Sequence, residues 1–196
     1  MSGRSSVVAI VPAAGRSSRF RGAKLLADID GVCLIDRTIG CLLDAGVERI
    51  VVVVGRPDAL DEARLVHDGR VSLVVNVDPS RGMFSSIQTG IAAAAGDAYL
   101  VLPADMPFVR ASTVTSVLDH PREVRSVVVP TLHGRRGHPI VISADLRTHV
   151  LAADPSSTLK DVLRTSAIRQ IEIDVDDPGV TRDVDVPSDL IVEPPT

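Results

Sequence analysis

From Pro12 to Lys24 the chain runs Pro-Ala-Ala-Gly-Arg-Ser-Ser-Arg-Phe-Arg-Gly-Ala-Lys, and no acid appears before Asp28. Small residues let backbone N–H groups approach an anion closely, and the four cations of this stretch add charge. A triphosphate is the natural guest. Two common phosphate motifs do not fit. The spacing of Gly15 and Gly22, with Ala23 before Lys24, breaks G-x-x-x-x-G-K-[ST], and G-x-G-x-x-G is absent. A solvated arginine-rich loop is the plainer account of the same charges. Lys24 argues for chemistry: of 21 basic residues only Lys24 and Lys160 are lysines, so a compact ammonium is wanted here.

Carboxylates supply the other half of such a site. Asp105 stands between Pro103 and Pro107, just after an apolar run. A hard carboxylate beside a triphosphate loop suits Mg²⁺. Its alternative is to cap a helix that starts near Arg110. Asp185 is the natural second ligand, although Asp176, Asp177 and Asp183 are close by and the tail also reads as a solvated acidic surface. Gly82 to Ser86 precedes an alanine-rich stretch, where Ser85 or Ser86 is an N-cap candidate. His138, between Gly137 and Pro139, reads as a neutral packed residue or as part of an acceptor pocket. No H-E-x-x-H, paired C-x-x-C or G-x-S-x-G occurs.

The elements that must position these residues follow from hydrophobic runs. Ser6–Val11, Arg49–Val54 and Tyr99–Leu102 read as buried strands ended by Pro or Gly, and Val71–Val75 as a further strand. Leu34–Ala45, Pro57–His67, Ser85–Ala95 and Ala111–Leu118 read as helices. Ser126–Thr131 and Pro139–Ile142 read as a strand pair about the turn 133–137. Ser143–Ala152 and Ser157–Thr165 are helical candidates, Ile171–Val175 is a late strand, and the rest is an irregular tail. Strands apolar on both faces, alternating with helices, predict an α/β fold: a mostly parallel central sheet with helices on both faces. Ligands of such sheets bind outside the carboxyl ends of the strands, which points to the loops after Val11, Val75 and Leu102. At 196 residues, without repeat or linker, one domain over 1–196 is expected.

Composition removes other classes. The net charge is −4 and aromatics make up 2%, so neither a basic coat for nucleic acid nor a stacking platform is available. No apolar run is long enough to span a bilayer. Cys33 and Cys41 form no disulfide framework or metal motif, and a cytoplasmic protein with reduced thiols is expected. The charge is unevenly placed. Residues 1–27 carry Arg4, Arg16, Arg19, Arg21 and Lys24 with no acid, whereas eight acids face Arg182 alone in residues 172–193.

Five blocks, in order, resemble the nucleotidyltransferases that share the molybdenum-cofactor nucleotidylyltransferase fold, a three-layer Rossmann-like arrangement. They are Ala13-Ala14-Gly15-Arg16-Ser17-Ser18-Arg19-Phe20 with Lys24-Leu25-Leu26, Gly82-Met83-Phe84-Ser85-Ser86-Ile87, Pro103-Ala104-Asp105-Met106-Pro107, Arg136-Gly137-His138-Pro139, and the tail from Asp176 to Leu190. Ala-Ala-Gly is similar to the cytidylyl branch. The resemblance implies transfer of CMP from CTP, or of another nucleotide, to a phosphorylated small molecule such as molybdopterin, with a molybdoenzyme as possible client. It implies that Lys24 and Arg19 neutralise charge and that Ala13, Ala14, Gly15, Arg16 and Ser17 cradle the phosphates. Asp105 and Asp185 would hold Mg²⁺. Gly82, Met83, Ser85 and Ser86 would contact base and ribose, and Gly137, His138 and Pro139 the acceptor. Phe84 and Pro12 depart from the family pattern of small residues and Leu. A sugar or polyol phosphate acceptor, NAD(P)H-dependent reduction, and non-catalytic carriage of the mature cofactor are the alternatives.

Overall fold

A computed structural model describes residues 6–15, 20, 24–56, 59–60, 63, 67–121, 123–164 and 168–191. Its strands are β1 (Val7–Pro12), β2 (Asp28–Ile29), β3 (Val32–Cys33), β4 (Arg49–Val54), β5 (Val71–Val75), β6 (Ala98–Val101), β7 (Ser126–Leu132), β8 (Arg135–Arg136), β9 (Ile140–Ser143) and β10 (Arg169–Asp174). The α-helices are α1 (Leu34–Asp44), α2 (Met83–Ala93), α3 (Ala111–Asp119), α4 (Arg147–Ala152) and α5 (Leu159–Leu163). The helix expected over Pro57–His67 falls largely outside the described residues.

The main sheet has the order β10-β7-β9-β6-β1-β4-β5, with β8 paired to β7. All neighbours on the β6-β1-β4-β5 side are parallel, as are β10 and β7. Strand β9 runs antiparallel between β6 and β7, so the expected strand pair is also the insertion that joins the two parallel parts. The sheet is apolar on both faces because each strand deals alternate residues to opposite sides. Ala9, Ile50, Val52 and Leu100 pack with Ile35, Ile39 and Leu42 of α1 and Val114 and Val117 of α3. Their neighbours Val8, Ile10, Val51, Val53 and Tyr99 pack with Ile87 and Ile91 of α2, Val150 of α4 and Val162 of α5. This gives three layers, a mostly parallel sheet with helices on both faces.

Phe84 is buried in the second of these cores, among residues under α2. Its bulk is spent on packing and does not enter the ligand cavity described below. Helix α2 begins earlier than the alanine run suggests. Its N-cap is Gly82, at φ +94°, where only glycine sits without strain. Ser85 and Ser86 lie inside the first turn and cap nothing.

The irregular tail is tied down at several points. Asp177 is buried, and its carboxylate accepts the Arg110 and Gly179 N–H groups and the Thr113 hydroxyl. Asp177, and not Asp105, therefore braces the start of α3, and it caps the 3₁₀ turn Pro178–Thr181. Val184 is fully buried with Ile29 and Leu34, a burial that contributes about 1.5–3 kcal/mol. The Arg182 guanidinium lies 4.0 Å over the Phe108 ring and donates to the Asp189 and Ile191 carbonyls.

Candidate active site

Three loops leave the carboxyl ends of β1, β5 and β6 side by side. The first is pinned by Ala13 N–H donating to Val53 O (2.8 Å), and the third by Ala104 N–H donating to Pro12 O (3.1 Å). Thr38 of α1, fully buried, donates its hydroxyl to Ala104 O at 2.9 Å and holds the Asp105 loop from behind. Lys24 opens a 3₁₀ turn, Lys24–Leu26, whose leucines pack on the core.

These restraints bring three charged groups together. Lys24 Nζ lies 2.8 Å from Asp105 Oδ2 and 3.6 Å from Asp185 Oδ1. The lysine side chain is only 11% exposed, while Asp185 is 55% exposed. Asp185 is set in place by backbone: Val184 N–H donates to Asp105 O (2.9 Å), and Asp189 Oδ2 accepts the N–H groups of Asp185 and Val186 (2.8 and 2.9 Å). Those two N–H donors hold the Asp189 carboxyl below the usual carboxylate range.

The three groups face a cavity of about 350 Å³, which is also lined by Ala13, Ala14, Gly15, Gly82, Met83 and Ser86. So the structure unites Lys24, Asp105 and Asp185 with most of the expected nucleotide-binding residues. Ser85 lies behind the lining, its hydroxyl donating to Gly82 O at 2.7 Å. Arg16, Ser17 and Arg19 lie outside the described residues. A second cavity, of about 180 Å³, opens between Ala45–Arg49 and Thr115–Asp119 at the other end of the strands and holds none of the expected site residues.

Gly137, His138 and Pro139 are not part of the cavity wall. A Cβ on Gly137 would meet Val180 O at 2.1 Å, so glycine is required for the loop to pass the tail. His138 N–H donates to that same Val180 O (2.9 Å), and Pro139 follows a cis peptide bond into β9. Burial pushes the His138 imidazole down to about 4, against the pull of the Asp105 charge. The ring is therefore neutral at neutral pH and contributes no positive charge to a phosphate site. A consequence for stability follows. Below the 6.5 of a free imidazole, the unfolded chain takes up a proton that the folded chain refuses, so folding weakens from about pH 6.5 down to about pH 4. Urea midpoints measured across that window should fall more steeply in the wild type than in His138→Gln. Parallel curves would refute this account.

Two acidic oxygens within reach of one ammonium leave a local excess of negative charge. That pairing fits Mg²⁺, which takes one or two carboxylates and completes its shell with water and substrate phosphate oxygens. Among the described residues no group of three or more His, Cys, Asp or Glu could hold an ion unaided. The donor set thus suits a metal that arrives with a nucleotide. Thr38 and Asp189 were invisible as site-building residues in the sequence, and Asp177 stood there only as a near alternative to Asp185. No helix among the described residues is long and apolar enough to cross a membrane.

Comparison with known proteins identifies the family. The nicotine blue oxidoreductase of Paenarthrobacter nicotinovorans is 34% identical over 152 residues, 74% of each chain. The 2-C-methyl-D-erythritol 4-phosphate cytidylyltransferase of Rhodococcus opacus (strain B4) is 34% identical over 135 residues, 66% of this chain but 58% of its own length. A nucleotidyl transferase from Methanothermobacter thermautotroptrophicus superposes with a TM-score of 0.79 at 26% identity, covering 94% of both chains. The MobA-like NTP transferase domain matches residues 9–172, and the chain belongs to that nucleotidyltransferase family.

Proposed function

We propose that residues 1–196 act as a single Mg²⁺-dependent nucleotidyltransferase domain that moves CMP from CTP to the terminal phosphate of a molybdopterin, releasing pyrophosphate. The observation that carries this reading is the meeting of Lys24, Asp105 and Asp185 on one cavity beside the small-residue loop Ala13–Gly15. A phosphate oxygen of the acceptor attacks the α-phosphorus of CTP. The bond from that phosphorus to the bridging oxygen breaks, and the electron pair leaves with pyrophosphate. The acceptor is already an anionic nucleophile, so no protein nucleophile or strong base is needed, and catalysis comes from positioning and charge.

Each residue has a task within that scheme. Backbone N–H groups of the loop after β1 bind phosphate oxygens. Lys24 neutralises charge on the triphosphate, with Arg19 in the same role. Asp105 and Asp185 would hold Mg²⁺, which when bound polarises a phosphate oxygen as a Lewis acid. Gly82, Met83 and Ser86 border the base and ribose. The preference for CTP rests on the Ala13-Ala14-Gly15 sequence and on the cytidylyltransferase among the relatives.

A second reading has its own support, since a relative of the same family is named as an oxidoreductase and matches 74% of this chain. On that reading the cavity holds a nicotinamide nucleotide. Thermal-shift titration with CTP, GTP, ATP and NADPH, each with Mg²⁺, separates the two. A ligand bound at 100 times its Kd stabilises the native state by about 2.7 kcal/mol. CTP with Mg²⁺ should raise Tm the most and, with molybdopterin, release pyrophosphate. A shift with NADPH alone, accompanied by its oxidation, would establish the second reading instead.

A further inference from the structure

Asn76, the first residue after β5, is 5% exposed, and its backbone N–H and both ends of its side-chain amide are hydrogen-bonded. Its backbone N–H donates to Val54 O at 2.8 Å and prolongs the β4–β5 ladder. Its side-chain oxygen accepts the Asp78 N–H at 3.0 Å. A backbone N–H can only donate, so this contact fixes which end of the amide is oxygen. The nitrogen end must then face α2, where it donates to the hydroxyls of Ser85 (2.9 Å) and Ser86 (3.0 Å).

That arrangement dictates where two protons go. An amide nitrogen accepts nothing, so each serine meets Asn76 with a lone pair and must direct its own proton elsewhere. Ser85 sends its proton to Gly82 O at 2.7 Å. The Ser86 hydroxyl has no acceptor among the described residues, and Ser86 lines the cavity. Left to itself, a serine in a helix bonds back to the carbonyl one turn earlier. Ser86 does not make that bond, and its Oγ receives the Asn76 amide instead.

We propose that Asn76 is a positioning residue that fills one lone pair of Ser86 and leaves its proton to be donated to the bound nucleotide, toward a base carbonyl, a ring nitrogen or a ribose oxygen. The inference rests on the nucleotide reading of the cavity. It goes beyond that reading by assigning the polarity of one contact and naming the residue that sets it. An acceptor opposite Ser86 takes that proton.

Asn76→Asp keeps the shape and the acceptor for Asp78 N–H but replaces the donor by a second acceptor, which captures the Ser86 proton. Calorimetric titration of the full chain with CTP and Mg²⁺ is the test. Ser86→Ala should weaken binding about tenfold, the loss of one hydrogen bond. Asn76→Asp should weaken it by a similar factor, with the nucleotide KM raised and kcat little changed. The decisive arm is the double variant, which should bind no more weakly than Ser86→Ala alone, because both changes remove the same contact. Should Asn76→Asp fail to fold, Asn76→Ala carries the same cycle. Losses that multiply in the double variant, or wild-type affinity in Ser86→Ala, overturn the proposal while leaving the nucleotide reading intact. A wild-type chain that binds no nucleotide overturns both.

Discussion

Lys24→Ala should lower the rate of pyrophosphate release about 10²- to 10³-fold, the loss typical of removing one preorganised group aimed at developing charge. In the free protein the ammonium lies between Asp105 and Asp185, 2.8 and 3.6 Å away. A triphosphate brings far more negative charge to the same place, and Lys24 is the described cation nearest to it. Its compact, point-like ammonium, in place of a broad planar fork, also explains why an arginine is not used here. Asp105→Asn should have an effect of similar size, because it removes the charge of the less exposed carboxylate of the pair. Neither change should threaten the fold. The carboxylates are 31% and 55% exposed, and ion pairs of that kind contribute about 0–1 kcal/mol to stability. Pyrophosphate release in the presence of CTP and acceptor, measured beside Tm, is the check. Near-normal turnover in either variant would remove these residues from the reaction.

The largest structural effect should come from Gly179→Ala. A Cβ there would lie 2.1 Å from Phe108 O, 2.4 Å from Phe108 C and 2.6 Å from Val109 N. All three atoms are backbone, so no side chain can swing aside. The tail or the loop before α3 has to move, which breaks the Asp177 bonds to Arg110, Thr113 and Gly179. A loss of about 4 kcal/mol or more belongs to this small class of backbone clashes. For a chain of this size that is a fall in Tm on the order of 10 °C. Gly69→Ala is the matched control, since its added methyl meets nothing within 4 Å. It should change stability by less than about 0.5 kcal/mol. Equal melting of the two variants would show that the close approach is relieved cheaply.

The sheet was legible because its strands are nearly pure hydrophobic runs, as in Val51 to Val54, and burial on both faces leaves that mark in a sequence. The site loops were legible for a related reason: they must leave the carboxyl ends of those strands. Lys24 and Asp105 stood out through chemistry and position. The start of α2 was read too late because a glycine at positive φ does the work that a serine does at ordinary caps. Among the tail acids the sequence offered four similar candidates. What separates them is tertiary: Asp177 is buried as a cap, whereas Asp185 is turned to Lys24 by the backbone bond of Val184 and the brace of Asp189. Asn76 was illegible for the same reason, since its value depends on serines in another element.

The tail has a consequence for the order of events during synthesis. Lys24 and Asp105 are 81 residues apart, and Asp185 comes much later still. Chains emerge at about 5–20 residues per second, so a ribosome exposes the cationic loop many seconds before the second carboxylate exists to complete the site. Until Val184 docks against Ile29 and Leu34, the nascent chain has only one of the two carboxylates proposed to hold the metal. Its activity should therefore switch on late and abruptly, with the docking of the Val184 segment.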